Sequence, residues 1–517
     1  MSAILRSVLS ISAATVLSRV TGYLRLSVQA AALGAGAVAD GYAVAILLPS
    51  LIYELFVGGI LYSIFIPVLV DRMTSHGEDD ARGLTNALFT LILPLMALMA
   101  ILGIVFADPL VGLVTGRSER VPAGAEVQQY GVFFFRIFAL QMLFYGVSTI
   151  ATGVLQAHRH FFLPTFAPVL NNLVVIVSFA AYFFLQGTDF GLALHVLAFG
   201  VTVGAAVMAL ALVPTLLALG YKPRPQVRHP ALLPTARLSG PMVVLVAASV
   251  GFQLLATHLA SRFGAVAELG YAFTIFSLPY GIFVVAIASA LMPELSEKHS
   301  REDADGYRDT FSFGFRTMLF VVVPSSVGMI ALAEPIVGLL YQRGEFTASD
   351  TESVAVLLVA YSVGFLGYSA YFFLVRAFYS RQNTKTPALL NVGILVAYAA
   401  LAYTLAYLFE ATGVVLALSA AYAVLAVLAL SATRREIGRI DGRRILASLA
   451  KILAAGAAMY AIAVAGTALL GTGSDFAGRL LVLLAVGTTS LAAYLGIALV
   501  LKAEELRSVT GLIKRRA

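Results

Sequence analysis

Charged side chains inside apolar stretches are the first residues to weigh in this chain. Each costs about 2.5–3.5 kcal/mol at the centre of a membrane helix unless it faces protein or water. They are few: Arg19 and Arg25 in the first stretch, Asp40 and Glu54 in the second, Arg136 in the fourth. His195 and His258 fall in the sixth and seventh, and Arg316 and Arg376 nearer the ends of theirs. Guanidinium forks suit a diphosphate through bidentate contacts. Arg19 and Arg25 lie about 120° apart around a straight helix, with roughly 9 Å of rise between them. Gly22 stands between them and permits a kink that would let both line one broad cavity. Local partners are the alternative: Asp40 or Glu54 for Arg25, and exposed carbonyls near the kink for Arg19. Glu54, flanked by Leu51, Ile52, Leu55 and Phe56, needs a partner. It either neutralises an arginine permanently or exchanges a proton during a cycle. Arg136 and the two histidines also have a structural reading, satisfied by neighbouring helices, and Arg316 and Arg376 are expected to snorkel. The candidate binding set is Arg19, Arg25, Asp40, Glu54 and Arg136, with no catalytic residue, metal site or cofactor.

No enzyme signature accompanies these groups. There is no nucleotide-binding P-loop, no HExxH pair and no Ser/His/Asp set with a recognisable spacing. Cysteine is absent, which excludes disulfides, thiolate metal sites and cysteine nucleophiles. The glycines of Gly34-Ala35-Gly36 match no phosphate-binding fingerprint and read as a tight turn between helices.

The elements that must carry these residues follow from composition. Of the 517 residues 60% are hydrophobic and 12% charged, with a mean hydropathy of +0.92; soluble domains usually carry about 25% charged residues. The net charge of +7 forms no patch or stripe that would suit nucleic acid. Its arginines and lysines cluster between apolar runs instead. Runs long enough to cross about 30 Å of hydrocarbon fall near 4–32, 38–70, 84–114, 126–156, 161–186, 189–220, 235–261, 267–294, 311–341, 351–379, 386–409, 411–433, 445–470 and 477–501. The expected fold is an all-α polytopic membrane protein of about fourteen transmembrane helices. Its first helix is read as retained rather than as a cleaved signal, because Arg19 and Arg25 interrupt it.

Alternate connections are basic, with Arg72, Arg82, Arg159, Lys222, Arg224, Arg228, Lys298, Arg301, Arg381, Lys385, Arg434, Arg435, Arg439 and Arg443 on one side. The other side holds only Arg117, Arg120, Arg262 and Arg343. With Lys514, Arg515 and Arg516 in the tail, the positive-inside rule predicts both ends in the cytoplasm of a bacterial inner membrane.

The chain also repeats itself. Ala107-Asp108-Pro109-Leu110-Val111-Gly112-Leu113 recurs at a constant offset as Ala333-Glu334-Pro335-Ile336-Val337-Gly338-Leu339. Gly41-Tyr42-Ala43 through Leu48-Pro49 recurs as Gly270-Tyr271-Ala272 through Leu278-Pro279, and Pro67 matches Pro293. Six helices therefore repeat in the same orientation, as in transporters whose halves rock about a central cavity. This gives an N-lobe over 1–221, a C-lobe over 222–440, and two further helices with a basic tail over 441–517.

Several motifs are similar to those of the MurJ/MviN lipid II flippases, within the multidrug/oligosaccharidyl-lipid/polysaccharide exporter superfamily. They are Ser18-Arg19-Val20-x-Gly22-x-x-Arg25, Gly34-Ala35-Gly36-x-x-x-Asp40, and Leu48-Pro49 to Phe65-x-Pro67-Val68-Leu69. Gln342-Arg343-Gly344-Glu345-Phe346-Thr347 and Arg376-Ala377-Phe378-Tyr379 through Thr384-Lys385-Thr386-Pro387 continue the resemblance in the second half. It implies a flippase moving an undecaprenyl-diphosphate-linked peptidoglycan precursor from the inner to the outer leaflet. The implied partners are that lipid-linked cargo, membrane lipids and cell-wall synthesis proteins, and the implied cavity residues are Arg19, Arg25 and Asp40. This chain departs from the pattern at three places. Tyr53-Glu54 stands where paired arginines are usual, Gly58 replaces a glutamate, and Phe273-Thr274 replaces an Asp-Arg pair. The family's sodium site on helices seven and eleven would need a carboxylate, yet 235–261 and 386–409 contain no Asp or Glu, leaving Asn391. A paralogue for another polyprenyl-diphosphate glycan or amphiphile, and a non-transporting cell-wall scaffold, remain open at this point.

Overall fold

The computed structural model describes residues 2–58, 65–115, 122–438, 440–473 and 475–506. Arg117, Arg120, Arg439 and the tail from Lys514 to Arg516 lie outside them. Among the described residues every element is helical, an arrangement that satisfies each backbone N–H and C=O within its own segment in hydrocarbon. Among the described residues nine helices are long and apolar enough to cross a membrane, or eleven if each of two bent pairs counts as one span.

The chain packs as two units, residues 1–267 with 343–346, and residues 268–342 with 347–517. The first holds α1 (Ser2–Leu33), α2 (Ala37–Tyr53), a π-helical turn at Glu54–Gly58, α3 (Ile66–Ser75), α4 (Glu78–Val105) and α5 (Ala107–Thr115). It continues with α6 (Pro122–Phe138), α7 (Gln141–Ala157), α8 (Phe162–Leu185), α9 (Phe190–Leu210), α10 (Val213–Ala218) and α11 (Leu232–Ser261). The second holds α12 (Val266–Pro279), a π-helical turn at Tyr280–Val284, α13 (Val285–Ser300), α14 (Ala304–Ala331), α15 (Ala333–Tyr341) and α16 (Ala348–Val363). After these come α17 (Phe365–Tyr379), α18 (Lys385–Ile437), α19 (Gly442–Leu470) and α20 (Phe476–Val500).

The internal repeat is written into the backbone. A shift of 226 residues carries α4 onto α14 at both ends, the start of α5 onto the start of α15, and one π-helical turn onto the other. The bent pairs coincide as well: α6 with α7, and α16 with α17, each bend by 46°. α18 is two helices in series, broken where Phe409 and Glu410 leave helical geometry, Glu410 with φ of 53°. That break falls between the runs expected at 386–409 and 411–433. The run expected at 84–114 is instead two helices, because the chain turns at Phe106 between α4 and α5.

Side-chain caps mark several starts. Asp189, Asp303 and Asp475 each accept a hydrogen bond from an N–H in the first turn of α9, α14 and α20. Thr347 and Asp350 form a reciprocal capping box on α16, which satisfies donors that would otherwise be orphaned.

In the first unit α1 packs along α8, α2 along α6, and α8 along α9, while α11 lies against α5 and the first π-helical turn. α6 is approached closely at two glycines, by α2 at Gly41 and by α5 at Gly131. A Cβ on Gly41 would come within 2.6 Å of Tyr130 Cβ, and one on Gly131 within 2.9 Å of Val111 Cγ1. In the second unit α14 packs on α17 and α19, and α19 on α20. Val482 and Val486 of α20 and Ala463 of α19 close over Leu332 there.

Candidate functional site

α1 runs unbroken through Gly22, so the expected kink is not formed. Gly22 instead faces Asn172 of α8, whose Nδ2 would lie 3.5 Å from an added Cβ. That amide donates to the Ser18 carbonyl at 3.4 Å and to Thr21 Oγ1 at 3.2 Å. The close approach of two helices, rather than a bend, is what the small residue permits. Arg19 is exposed and Arg25 half-buried. Neither makes an ion pair among the described residues, so the structure contains no Arg25 pair with Asp40 or Glu54.

The surroundings of Arg25 come from α2 and α7. Its guanidinium is within electrostatic reach of the Tyr42 and Tyr145 phenols. Tyr145 donates to Gln141 Oε1 at 2.7 Å and also meets the Ser50 hydroxyl. The Tyr53 ring lies tilted against Tyr145 at 5.6 Å, and its hydroxyl shares a short hydrogen bond with Thr149. Gln141 is 1% exposed, and its Nε2 has no hydrogen-bond partner among the described residues. Tyr42 is fixed edge-on by Phe134, Phe138 and Phe179. The arrangement is a cation flanked by neutral hydroxyl and amide groups, which can bind an anion without a permanently paired carboxylate competing for it.

Asp40 is 1% exposed, and its Oδ1 accepts the Ala267 N–H at 2.7 Å. Its carboxylate secures the 264–267 turn and is closed to ligand in this arrangement. Glu54 opens the first π-helical turn, is exposed, and has no ion pair among the described residues. Arg136 is exposed and lines a groove of about 750 Å³ with Asp108, Gln128, Gln129 and Phe133.

Both histidines are engaged locally. His195 meets the Gly191 carbonyl at 2.8 Å and the Phe133 ring edge at 5.0 Å, and His258 meets the Leu113 carbonyl at 3.1 Å.

Arg316 does not snorkel. It is 4% exposed and donates to Glu504 Oε2 at 2.9 Å and Glu505 Oε1 at 2.8 Å. Arg444 also grips Glu504, and Ser448 donates to Glu505, itself 2% exposed. Arg376 lies 5.0 Å over the Phe372 ring.

An aromatic run in the second unit escaped sequence reasoning. Tyr280 packs on Tyr368 at 4.8 Å and on Phe372 at 5.2 Å, and Tyr368 packs on Tyr422 at 4.6 Å. The available signal was the tyrosine content of otherwise apolar helices. Asn391, the remaining amide in the run at 386–409 and on α18, is hydrogen-bonded to Tyr371.

The model for the lipid II flippase MurJ matches residues 29–485. A lipid II flippase MurJ of Burkholderia cenocepacia is 29% identical over 399 residues, 76% of each chain. A probable lipid II flippase MurJ of Bdellovibrio bacteriovorus is 29% identical over 519 residues, covering 98% of this chain and 96% of its own. In fold, the chain resembles a solved lipid II flippase MurJ in an inward closed conformation, with a TM-score of 0.77 at 21% identity, over 97% of this chain and 99% of that one. An inward-facing multidrug resistance transporter of the MATE family follows, with a TM-score of 0.67 at 13% identity over 83% and 96%.

Proposed function

The chain belongs to the MurJ family of lipid II flippases, and on that premise we propose that Arg25 receives the diphosphate of the lipid-linked precursor. The protein is a multi-pass membrane transporter and not an enzyme. Its cargo is lipid II, carried from the inner to the outer leaflet for peptidoglycan synthesis by alternating access. The observation that carries the reading is a half-buried arginine in a membrane helix with no ion pair among the described residues, set among phenol and amide groups. A cation so placed is costly unless an anion visits it.

Within this reading Arg19, exposed on the same helix, gathers the headgroup. Asp40 acts indirectly by holding the 264–267 turn, and Glu54 is the group that exchanges a proton as the cycle resets. Arg136 lies on a different groove. The lobes divide as 1–221, 222–440 and 441–517, and counting α1, α11 and both halves of α18 with the eleven spans makes fourteen helices. Both ends then face the cytoplasm, where cell-wall synthesis proteins are the proposed neighbours. Neither another glycan nor a scaffold role is favoured, since no observation here points to one.

The decisive experiment is rescue of a flippase-depleted strain. The chain should restore growth and Arg25→Ala should not, at equal protein level; growth restored by both would remove Arg25 from the site. Orientation has its own test in a chain without cysteine. Lys222→Cys should react only with reagents that reach the cytoplasm and Glu352→Cys from outside, and the reverse pattern would invert the topology.

A further inference from the structure

We propose that the groove of Arg136 is a binding site for a membrane glycerophospholipid, held by its phosphate and distinct from the site at Arg25. Arg136 lies well inside the bent span formed by α6 and α7. It is exposed, with no ion pair or hydrogen bond among the described residues. An arginine at that depth and without a partner needs a counter-charge. The groove beside it, about 750 Å³, is lined by two amides, Gln128 and Gln129, and by apolar side chains including Val132, Phe133 and Ile137. A cation with amide donors above an apolar wall is the chemistry that takes a phosphate ester and lays an acyl chain alongside.

The other charge in the groove does not cancel the cation. Asp108 accepts a hydrogen bond from Gln128 Nε2 at 2.9 Å, and Gln128 is eight residues from Arg136, about 12 Å along the helix. Helical side chains lean toward the N-terminus, so the guanidinium reaches up the groove toward Gln129 and Val132. The phosphate therefore sits between Arg136 and the amides, and Asp108 marks the far end, where the alcohol or amine of the headgroup would lie. The opposite face of α6 is committed to protein: Val127, Phe134, Phe135 and Phe138 are all buried. The groove is thus the open side of a helix whose other side is fixed.

The test is native mass spectrometry of the purified protein in detergent, titrated with phosphatidylglycerol or with diacylglycerol of the same chains, which lacks the phosphate. Phosphatidylglycerol should bind wild type at least about tenfold more tightly than Arg136→Gln, as expected for loss of a charge-assisted contact. Diacylglycerol should bind weakly and equally to both. Gln129→Leu should weaken phosphatidylglycerol by a smaller factor, and Arg25→Gln should leave it unchanged. Equal phosphatidylglycerol binding by wild type and Arg136→Gln would overturn the proposal. So would diacylglycerol binding as tight as phosphatidylglycerol, or displacement of the lipid by millimolar inorganic phosphate. If undecaprenyl diphosphate displaced phosphatidylglycerol at equimolar concentration through Arg136, the groove would belong to the cargo and the proposal would also fall. Unchanged thermal unfolding of lipid-free Arg136→Gln establishes that the variant is folded.

Discussion

Glu54 and Tyr280 open the same π-helical turn in the two repeats, and a shift of 226 residues places Arg136 over Ser362 on matching helices. The backbones agree while the side chains have parted. The first unit offers a carboxylate and free guanidinium groups. The second offers a ring that packs on Tyr368 and Phe372, and a serine whose hydroxyl donates to the Leu358 carbonyl of its own helix while its carbonyl accepts from Ser326 of α14. Duplication preserved the frame while the side chains at these matched positions diverged.

The contrast extends to the segment that follows each set of helices. In the first unit Thr90 and Asn86 of α4 accept neutral hydrogen bonds from the backbone of Gln226 and Arg224. In the second, the position matching Thr90 is Arg316, which holds two carboxylates. Arg316→Ala should therefore have the largest effect, because it leaves Glu505 buried without its partner, at about 3–5 kcal/mol. Thermal unfolding in detergent checks this, and the pair Arg316→Met with Glu505→Leu should recover most of the loss. A wild-type unfolding curve for Arg316→Ala would erase the distinction between ionic and neutral docking. Arg444, by hydrogen bonding, holds the Glu504 carboxyl below its ordinary range. That contribution is present above the unfolded carboxylate value and fades as pH falls through the depressed folded one.

Arg25→Lys comes next and sharpens the comparison at the site itself. Charge is kept but the fork is lost, so flipping in proteoliposomes should slow by about tenfold. Tyr280→Phe, which keeps the edge-on ring contacts, should remain within about twofold of wild type. Similar losses in the two variants would mean that the repeats share the work.

Gly344→Ala should cost about 1–2 kcal/mol, because that residue sits at φ of 59° and its Cβ would meet the Ala31 carbonyl. Its neighbour Glu345 donates its backbone N–H to the same oxygen at 2.9 Å. Unfolding midpoints measure the cost, and an unchanged midpoint would show that the loop tolerates the strain.

The smallest expected effect is that of sodium. Replacing it with choline at fixed membrane potential should leave flipping unaltered, because α11 and the first half of α18 offer no carboxylate within 235–261 or 386–409 and Asn391 is already bonded to Tyr371. A large loss would place a cation site in the second unit. Loss only on collapsing the potential would fit charge movement at about 2.3 kcal/mol per charge per 100 mV.

Helix existence and the duplication were legible because hydrocarbon thickness sets the length of each run and short Pro/Gly motifs survive at fixed spacing. The break at Glu410 was legible for the same reason. The engagement of individual polar groups was not. Asp40 and Arg316 look alike in sequence to Glu54 and Arg136, each a lone charge in an apolar run, yet the first two are buried and bonded while the last two are exposed. Their fates depend on Ala267 and Glu505, which are 227 and 189 residues away, and no local pattern encodes such pairings. Gly22 misled for a related reason: a glycine permits both a kink and a close approach, and only the neighbour Asn172 decides between them.

The paired π-helical turns also preserve a history. Such a turn is an α-helix with one residue inserted, and here it begins thirteen residues before Pro67 and thirteen before Pro293. The insertion therefore belongs to the common ancestor of the two halves and was inherited by both. Upstream the halves differ: Ser50, Leu51, Ile52 and Tyr53 separate Pro49 from the turn, whereas Tyr280 follows Pro279 directly. The spacing from proline to turn thus differs by four residues between the halves, about one helical turn.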